Sequence, residues 1–79
     1  MQIEKKIKNK YSIHYICKEG DDLILETNSI KEMLICVKSL EKTLTPERKK
    51  NIHILVYRYG DIHKICTITT FKLLYIGKD

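Results

Sequence analysis

An amphipathic stretch at residues 29–44 constrains the fold of this chain more than any other segment. Ser29 and Glu32 form the pattern of a helix capping box, in which the hydroxyl accepts one free backbone N–H and the carboxylate reaches back to another. Apolar side chains then recur every three or four residues and form one stripe: Ile30, Met33, Leu34, Val37, Leu40 and Leu44. The stretch predicts a helix that buries this stripe against the rest of the chain.

The residues before this helix predict a β-hairpin. Side chains alternate along residues 11–18, with Tyr11, Ile13, Tyr15 and Cys17 on one face and Ser12, His14, Ile16 and Lys18 on the other. Turn residues at 19–22 and a short apolar run at 23–26 complete the hairpin. Residues 1–9 are rich in lysine and are interpreted as a basic N-terminus that is frayed or leads into the first strand.

Two further strands are predicted after the helix. Pro46 ends the helix, and Thr45 can cap one more turn with Pro46 in its first position. Residues 51–59 are apolar on both faces, which indicates a central strand, and Gly60-Asp61 predicts a type II′ turn. The next strand is expected to run through Thr70 toward Ile76, because β-branched residues dominate. A short C-terminal helix over residues 70–76, closed by Gly77, is the alternative.

This order predicts one α+β domain over residues 1–79, an antiparallel sheet of four strands (ββαββ) with one helix packed on one face. A chain of 79 residues has a thin core, so a homodimer would add stability. No apolar run is long enough to span a membrane, and no signal peptide is expected. The three cysteines are widely spaced, which favours a reducing cytoplasm. Without CxxC, HxxxH or HExxH spacing, neither a metal nor another cofactor is expected.

The first candidate surface is the sheet face that a single helix would leave uncovered. With Gly60-Asp61 as the turn, Tyr59 would pair with Ile62 and Tyr57 with Lys64. The predicted partner-binding set is His53, Leu55, Tyr57, Tyr59, Ile62 and Lys64, with Cys66 and Ile68 on the same face. The opposite, helix-facing set is Ile52, Ile54, Val56, Ile65 and Thr67, with Arg58 and His63 near the hairpin tip. An apolar, aromatic face of this kind marks an interaction site.

The second candidate surface is the outer side of the helix. Lys31, Lys38 and Lys42 share one side, and Ile35 lies among them. We call this set the helix ridge and predict contact with an acidic partner. The net charge of +5 favours an anionic partner, either nucleic acid or an acidic protein surface. The 13 Lys against only 2 Arg, with 13 Ile, also fit the codon usage of an AT-rich genome.

Catalysis is not expected, although two arrangements suggest it. His53 and Cys66 could be diagonal neighbours across the second hairpin, as a base and a nucleophile. His63 near Arg58 could serve as the general base of a small basic ribonuclease toxin. The Cys–His pair has no evident orienting group or oxyanion donor, and His63 has no evident second acid beside it. We therefore interpret the protein as non-enzymatic.

In its size, its lysine-rich composition and its order of elements, the chain resembles small proteins of phages and mobile elements, including anti-CRISPR and other anti-defence inhibitors. The resemblance implies an inhibitor that acts by surface contact on a nucleic-acid-handling host defence complex, in the host cytoplasm if the gene is phage-borne. Direct nucleic-acid binding through the sheet tyrosines and lysines, and ribonuclease activity, remain the alternatives.

Overall fold

The computed structural model describes residues 9–75, in which four strands form one antiparallel sheet and three helices accompany it. The elements are β1 (Asn9–Cys17), β2 (Gly20–Thr27), α1 (Ile30–Thr43), α2 (Pro46–Lys49), β3 (Ile52–Arg58), β4 (Asp61–Cys66) and α3 (Ile68–Tyr75). The α+β class is confirmed. The predicted ββαββ order is incomplete, because α2 and α3 are additional. The basic segment at residues 1–8 and the residues from Ile76 onward lie outside the described range.

Helix α1 begins at the predicted cap, but only half of the capping box forms. The Ser29 hydroxyl accepts the Glu32 N–H at 3.2 Å. The Glu32 carboxylate accepts the Thr27 hydroxyl instead of the Ser29 N–H. The Ser29 N–H donates to Thr27 Oγ1 at 3.0 Å. Thr27 therefore takes the place that the pattern assigns to the glutamate, and the same backbone donors are satisfied.

The apolar stripe of α1 supplies its contribution to the core. Met33 and Val37 are fully buried, and the remaining stripe residues pack against the same cluster: Ile30, Leu34, Leu40 and Leu44. Beyond this helix, Thr45 caps α2 by accepting the Arg48 N–H at 3.2 Å, with Pro46 in the first turn. Both features follow the sequence prediction.

The strand order is β2-β1-β3-β4, so β1 and β3 are central and β2 and β4 are the edges. Tyr11 lies opposite Val56, Ile13 opposite Ile54 and Tyr15 opposite Ile52. Because side chains alternate between the two faces, these residues share one face, and most of them are buried in the core. Strand β2 is longer than predicted, since Asp21 and Asp22 pair with Ile16 and Tyr15 instead of forming the turn.

The C-terminal segment is a helix, so the preferred prediction of a long strand is wrong and the alternative of a short helix is correct, with the helix beginning two residues earlier than predicted. Strand β4 ends at Cys66, and Thr67 caps α3 by accepting the Thr70 N–H at 3.2 Å. Ile68, Phe71 and Tyr75 then form a helical stripe. Phe71 is fully buried, 6.3 Å from the Tyr11 ring centroid in an edge-to-face contact. This burial outweighs the β propensity of the preceding residues.

Candidate interaction surfaces

The hairpin between β3 and β4 has a different turn from the one predicted, and this changes one strand of the candidate surface. Arg58 lies opposite Asp61, so the turn is Tyr59-Gly60 and not Gly60-Asp61. Tyr59 and Gly60 both have positive φ, at 54° and 88°, as a type I′ turn requires. Tyr59 therefore belongs to the turn and not to the strand face on which it was predicted.

A β-bulge then shifts the register along β4. Tyr57 lies opposite Ile62 and Val56 opposite Lys64, so His63 is the extra residue. Ile65 lies opposite Leu55, and Cys66 lies opposite Ile54 in the core. The predictions for Lys64, Cys66 and Ile65 are therefore wrong, because these residues occupy the faces opposite to those assigned. Ile68 is a buried residue of α3, and Thr67 is its cap.

The sheet face opposite the core is defined by Ser12, His14, His53, Leu55 and Tyr57, and we call it the open face. It also carries Lys10, Asp21, Leu23, Glu26, Ile62 and Ile65, as the strand registers show. Neither α1 nor α3 contributes a buried side chain to this face within the described residues, since their buried residues all join the core cluster. His53, Leu55, Tyr57 and Ile62 thus lie together as predicted.

One half of the open face is apolar. Leu55 and Tyr57 on β3 are half-buried, and their neighbours Ile65 and Ile62 on the edge strand are 61% and 54% exposed. Cross-strand pairs at such positions are in side-chain contact range. The set Leu55, Tyr57, Ile62 and Ile65, which we call the apolar half, therefore forms one continuous surface on two neighbouring strands.

The other half of the open face, on β1 and β2, carries a network of polar side chains together with the exposed Leu23. The Lys10 ammonium and the Glu26 carboxylate form an ion pair at 3.2 Å. His14 Nε2 lies 3.0 Å from Ser12 Oγ, and His14 Nδ1 lies 2.9 Å from an Asp21 carboxylate oxygen. With Nδ1–H donating to the carboxylate, Nε2 accepts the serine hydroxyl, so the buried hydroxyl is satisfied. The Lys10 and Glu26 charges therefore neutralise each other, and the Asp21 carboxylate is hydrogen-bonded within the chain.

Ser12, His14 and Asp21 are linked in the same order as the catalytic triad of a serine hydrolase. Ser12, however, cannot act as a nucleophile. Ser12 is only 3% exposed, so a substrate carbonyl cannot reach its Oγ. This network was not predicted from the sequence. The spacing of Ser12 and His14, two residues apart on one strand face, suggests that their side chains can bond. The position of Asp21 depends on the register of the first hairpin, which the sequence does not give.

Of the two catalytic arrangements considered from the sequence, the Cys–His pair is not assembled. His53 lies on the open face, whereas Cys66 is buried on the core face, so the proposed Cys–His pair does not form. Burial raises the pKa of the Cys66 thiol, and a nearby lysine, Lys64, lowers it to a smaller extent. This thiol is therefore a poor nucleophile. His63 is the exposed residue of the bulge, and Arg58 lies opposite Asp61.

The helix ridge is formed as predicted. Lys31, Lys38 and Lys42 are exposed on α1, and Ile35 among them is 69% exposed. None of the three lysines forms an ion pair with another residue of the described range, where the ion pairs between Lys or Arg and a carboxylate are Lys10–Glu26 and Lys72–Glu41. The ridge is thus an unneutralised cationic surface around one apolar side chain.

Three searches, for a metal site and a membrane-spanning helix within the described residues and for related proteins, gave no match. Across residues 9–75, no group of three or more histidine, cysteine, aspartate or glutamate side chains is placed to hold a metal ion. Within the same range, no helix has the length and hydropathy needed to cross a membrane. Comparison with protein-family models, with curated proteins and with solved structures finds no match to this chain.

Proposed function

We propose that this is a small basic binding protein without enzymatic activity, which acts by surface contact with a protein partner. The observation that carries the proposal is the apolar half of the open face, where Ile62 and Ile65 extend the surface of Leu55 and Tyr57 to the sheet edge. Contiguous exposed apolar surface on a small protein is characteristic of an interaction site. The strands hold these side chains in fixed positions, which lowers the entropy cost of binding.

The partner class that we propose is a nucleic-acid-handling complex of host defence, with the protein as its inhibitor. The support is the resemblance in size, composition and element order to phage anti-defence proteins. The net charge of +5 argues against mimicry of nucleic acid, which requires an acidic surface. The inhibitor would therefore contact a protein surface of the complex through the open face, and the helix ridge of Lys31, Ile35, Lys38 and Lys42 is the alternative contact surface.

The test compares two variants in the same assay. The protein is expressed in cells that carry an RNA-guided defence system, and phage plating efficiency is measured together with capture of the effector on immobilised protein. Tyr57→Ala should abolish both signals if the open face makes the contact, and Ile35→Ala should leave them unchanged. Loss with Ile35→Ala alone would move the contact to the helix ridge. Absence of capture and of plating rescue with the wild-type protein would refute the inhibitor proposal.

A second candidate function, direct nucleic-acid binding, is favoured by the unneutralised lysines of the helix ridge. If Lys31, Lys38 and Lys42 contact phosphates, the logarithm of the affinity should fall with the logarithm of salt concentration at a slope of about −2 to −3. Fluorescence anisotropy with labelled single- and double-stranded oligonucleotides measures this slope. Lys38→Ala should reduce it by about one. No binding at low salt would eliminate this function.

A further inference from the structure

Within residues 9–75 no strand pairs along the outer edge of β4, and apolar side chains from both layers of the molecule lie near this edge. On the open face, Ile62 and Ile65 are more than half exposed. They lie three residues apart and share a face only because the bulge at His63 inserts an extra residue between them. The bulge thus lines the edge strand with two isoleucines on one side. An edge strand also presents unpaired backbone N–H and C=O groups, with which a strand of another chain can pair.

On the core side of the sheet, Leu74 of α3 lies toward the same edge. The Lys72 ammonium bonds to both carboxylate oxygens of Glu41 on α1, at 3.1 and 3.0 Å, so this flank of α3 faces α1. Leu74 lies about 200° further around the helix axis, on the opposite flank. Because α1 contacts β2 while α3 contacts β3 and β4, that flank faces outward over β4. Leu74 is 43% exposed there.

We propose that a second copy of this chain binds at this edge, with its own β4 antiparallel to the first. A two-fold axis between His63 and Lys64 pairs all six residues of β4 with those of the second copy. In this register Ile62 lies opposite Ile65 of the second copy, and the reciprocal pair forms by symmetry. Both pairs are on the open face, where apolar cross-strand neighbours stabilise the sheet.

The charges of β4 are also self-complementary in this register. Asp61 and Lys64 are exposed on the core side of the edge and form no ion pair with another described residue. Across the axis, Lys64 is the diagonal neighbour of Asp61 of the second copy, within reach of a long side chain. Two intermolecular ion pairs therefore accompany the two isoleucine pairs. This complementarity identifies a second copy as the occupant.

The dimer has an eight-stranded sheet in which both open faces lie on the same side. The two apolar halves adjoin across the axis. A single contact surface of twice the area results. This inference does not depend on the proposed partner, since it concerns purified protein alone.

The experiment measures molar mass by light scattering coupled to size exclusion, over a concentration series, for wild type and two charge variants. Wild type should shift from the mass of one chain to that of two. Ile65→Lys should weaken dimerisation by at least about tenfold, because a lysine then lies opposite each Ile62. The matched control is Ile35→Lys, which introduces the same charge at an exposed isoleucine of α1 and should leave dimerisation unchanged. Far-UV circular dichroism verifies folding, and Ile62→Lys replaces Ile65→Lys if the latter unfolds.

A charge exchange tests the register. Lys64→Glu should weaken dimerisation by placing two carboxylates together, and Asp61→Lys/Lys64→Glu should restore it. A wild type of one-chain mass throughout the series overturns the proposal, even where capture of a partner through Tyr57 shows that the binding function stands. Equal dimerisation by Ile65→Lys and wild type overturns it as well. Failure of the exchange to restore dimerisation overturns the proposed register.

Discussion

The hydrogen-bond chain Ser12–His14–Asp21 predicts a specific pattern of stability in a double-mutant cycle. Replacing His14 by leucine removes the only side chain within hydrogen-bonding distance of the Ser12 hydroxyl in the described structure, and Ser12 is 3% exposed. A buried hydroxyl without a partner costs about 1–3 kcal/mol. Asp21 loses one bond, but its side chain is 55% exposed and is solvated instead. His14→Leu should therefore destabilise the protein by about 1–3 kcal/mol.

Adding Ser12→Ala to His14→Leu should restore most of the lost stability. Ser12→Ala/His14→Leu removes both partners, so no unsatisfied group remains, and its stability should return to within about 0.5 kcal/mol of wild type. Ser12→Ala alone should cost less than His14→Leu, because the partly exposed imidazole can bond to water instead. The cycle should then give a coupling energy of about 1–3 kcal/mol between two side chains in contact.

Urea denaturation followed by far-UV circular dichroism measures these values. With a slope near 1 kcal/mol/M for a domain of this size, His14→Leu should lower the midpoint by about 1–3 M. His53→Leu is the matched control. Its ring nitrogen bonds to the Asn51 carbonyl, which also accepts the Ile16 N–H at 2.8 Å and so keeps a partner. The reasoning would be refuted if the losses of unfolding free energy in the two single mutants added up to the loss in the double mutant. It would also be refuted if His14→Leu and His53→Leu lowered the urea midpoint equally.

Three further predictions concern the core, the helix cap and the thiols. Phe71→Ala should cost about 3–5 kcal/mol because the ring is fully buried, whereas Leu73→Ala, at an exposed position on the same helix, should stay within about 0.5 kcal/mol by urea denaturation. Ser29→Ala should cost about 1 kcal/mol by the same assay, through loss of the α1 cap. Burial raises the pKa of Cys36 and of Cys66 above the ordinary thiol value near 9, so the folded state favours the neutral thiols. Their stabilising contribution is complete below that value and is lost as pH rises through the raised pKa values, so the urea midpoint should fall at alkaline pH, and less steeply in Cys36→Ala.

Local features of the chain could be predicted where the residue type at a position favours one kind of local structure. Ser29 supplies an N-cap, Pro46 fits only a first helical turn, and the stripe of α1 has a period that no strand can match. The alternation of β3 likewise places Ile52, Ile54 and Val56 in the core. Each of these inferences depends on neighbours within a few residues, so tertiary contacts could only reinforce it.

The sequence offered a C-terminal helix only as an alternative to a strand, and could not decide between them, because the contacts that stabilise the helix are distant in sequence. The segment begins with β-branched residues, and its helical stripe has only three members. The contact that selects the helix is the edge-to-face packing of Phe71 on Tyr11, a residue sixty positions earlier. Tyr75 completes the aromatic cluster, with its ring centroid 6.2 Å from that of Tyr11. Local propensity carries no information about this contact.

The composition of the open face depends on one extra residue that alternation cannot reveal. A strand of period two places Ile62 and Lys64 on the same face and Ile65 on the other. The bulge at His63 reverses the second half of β4, so that Cys66 enters the core while Ile65 becomes part of the apolar half. The bulge therefore places two isoleucines on the open face of the edge strand and moves Lys64 to the core side, where it can face Asp61 of a second copy across the proposed two-fold axis. For this reason the β4 edge is the place where we expect a second copy.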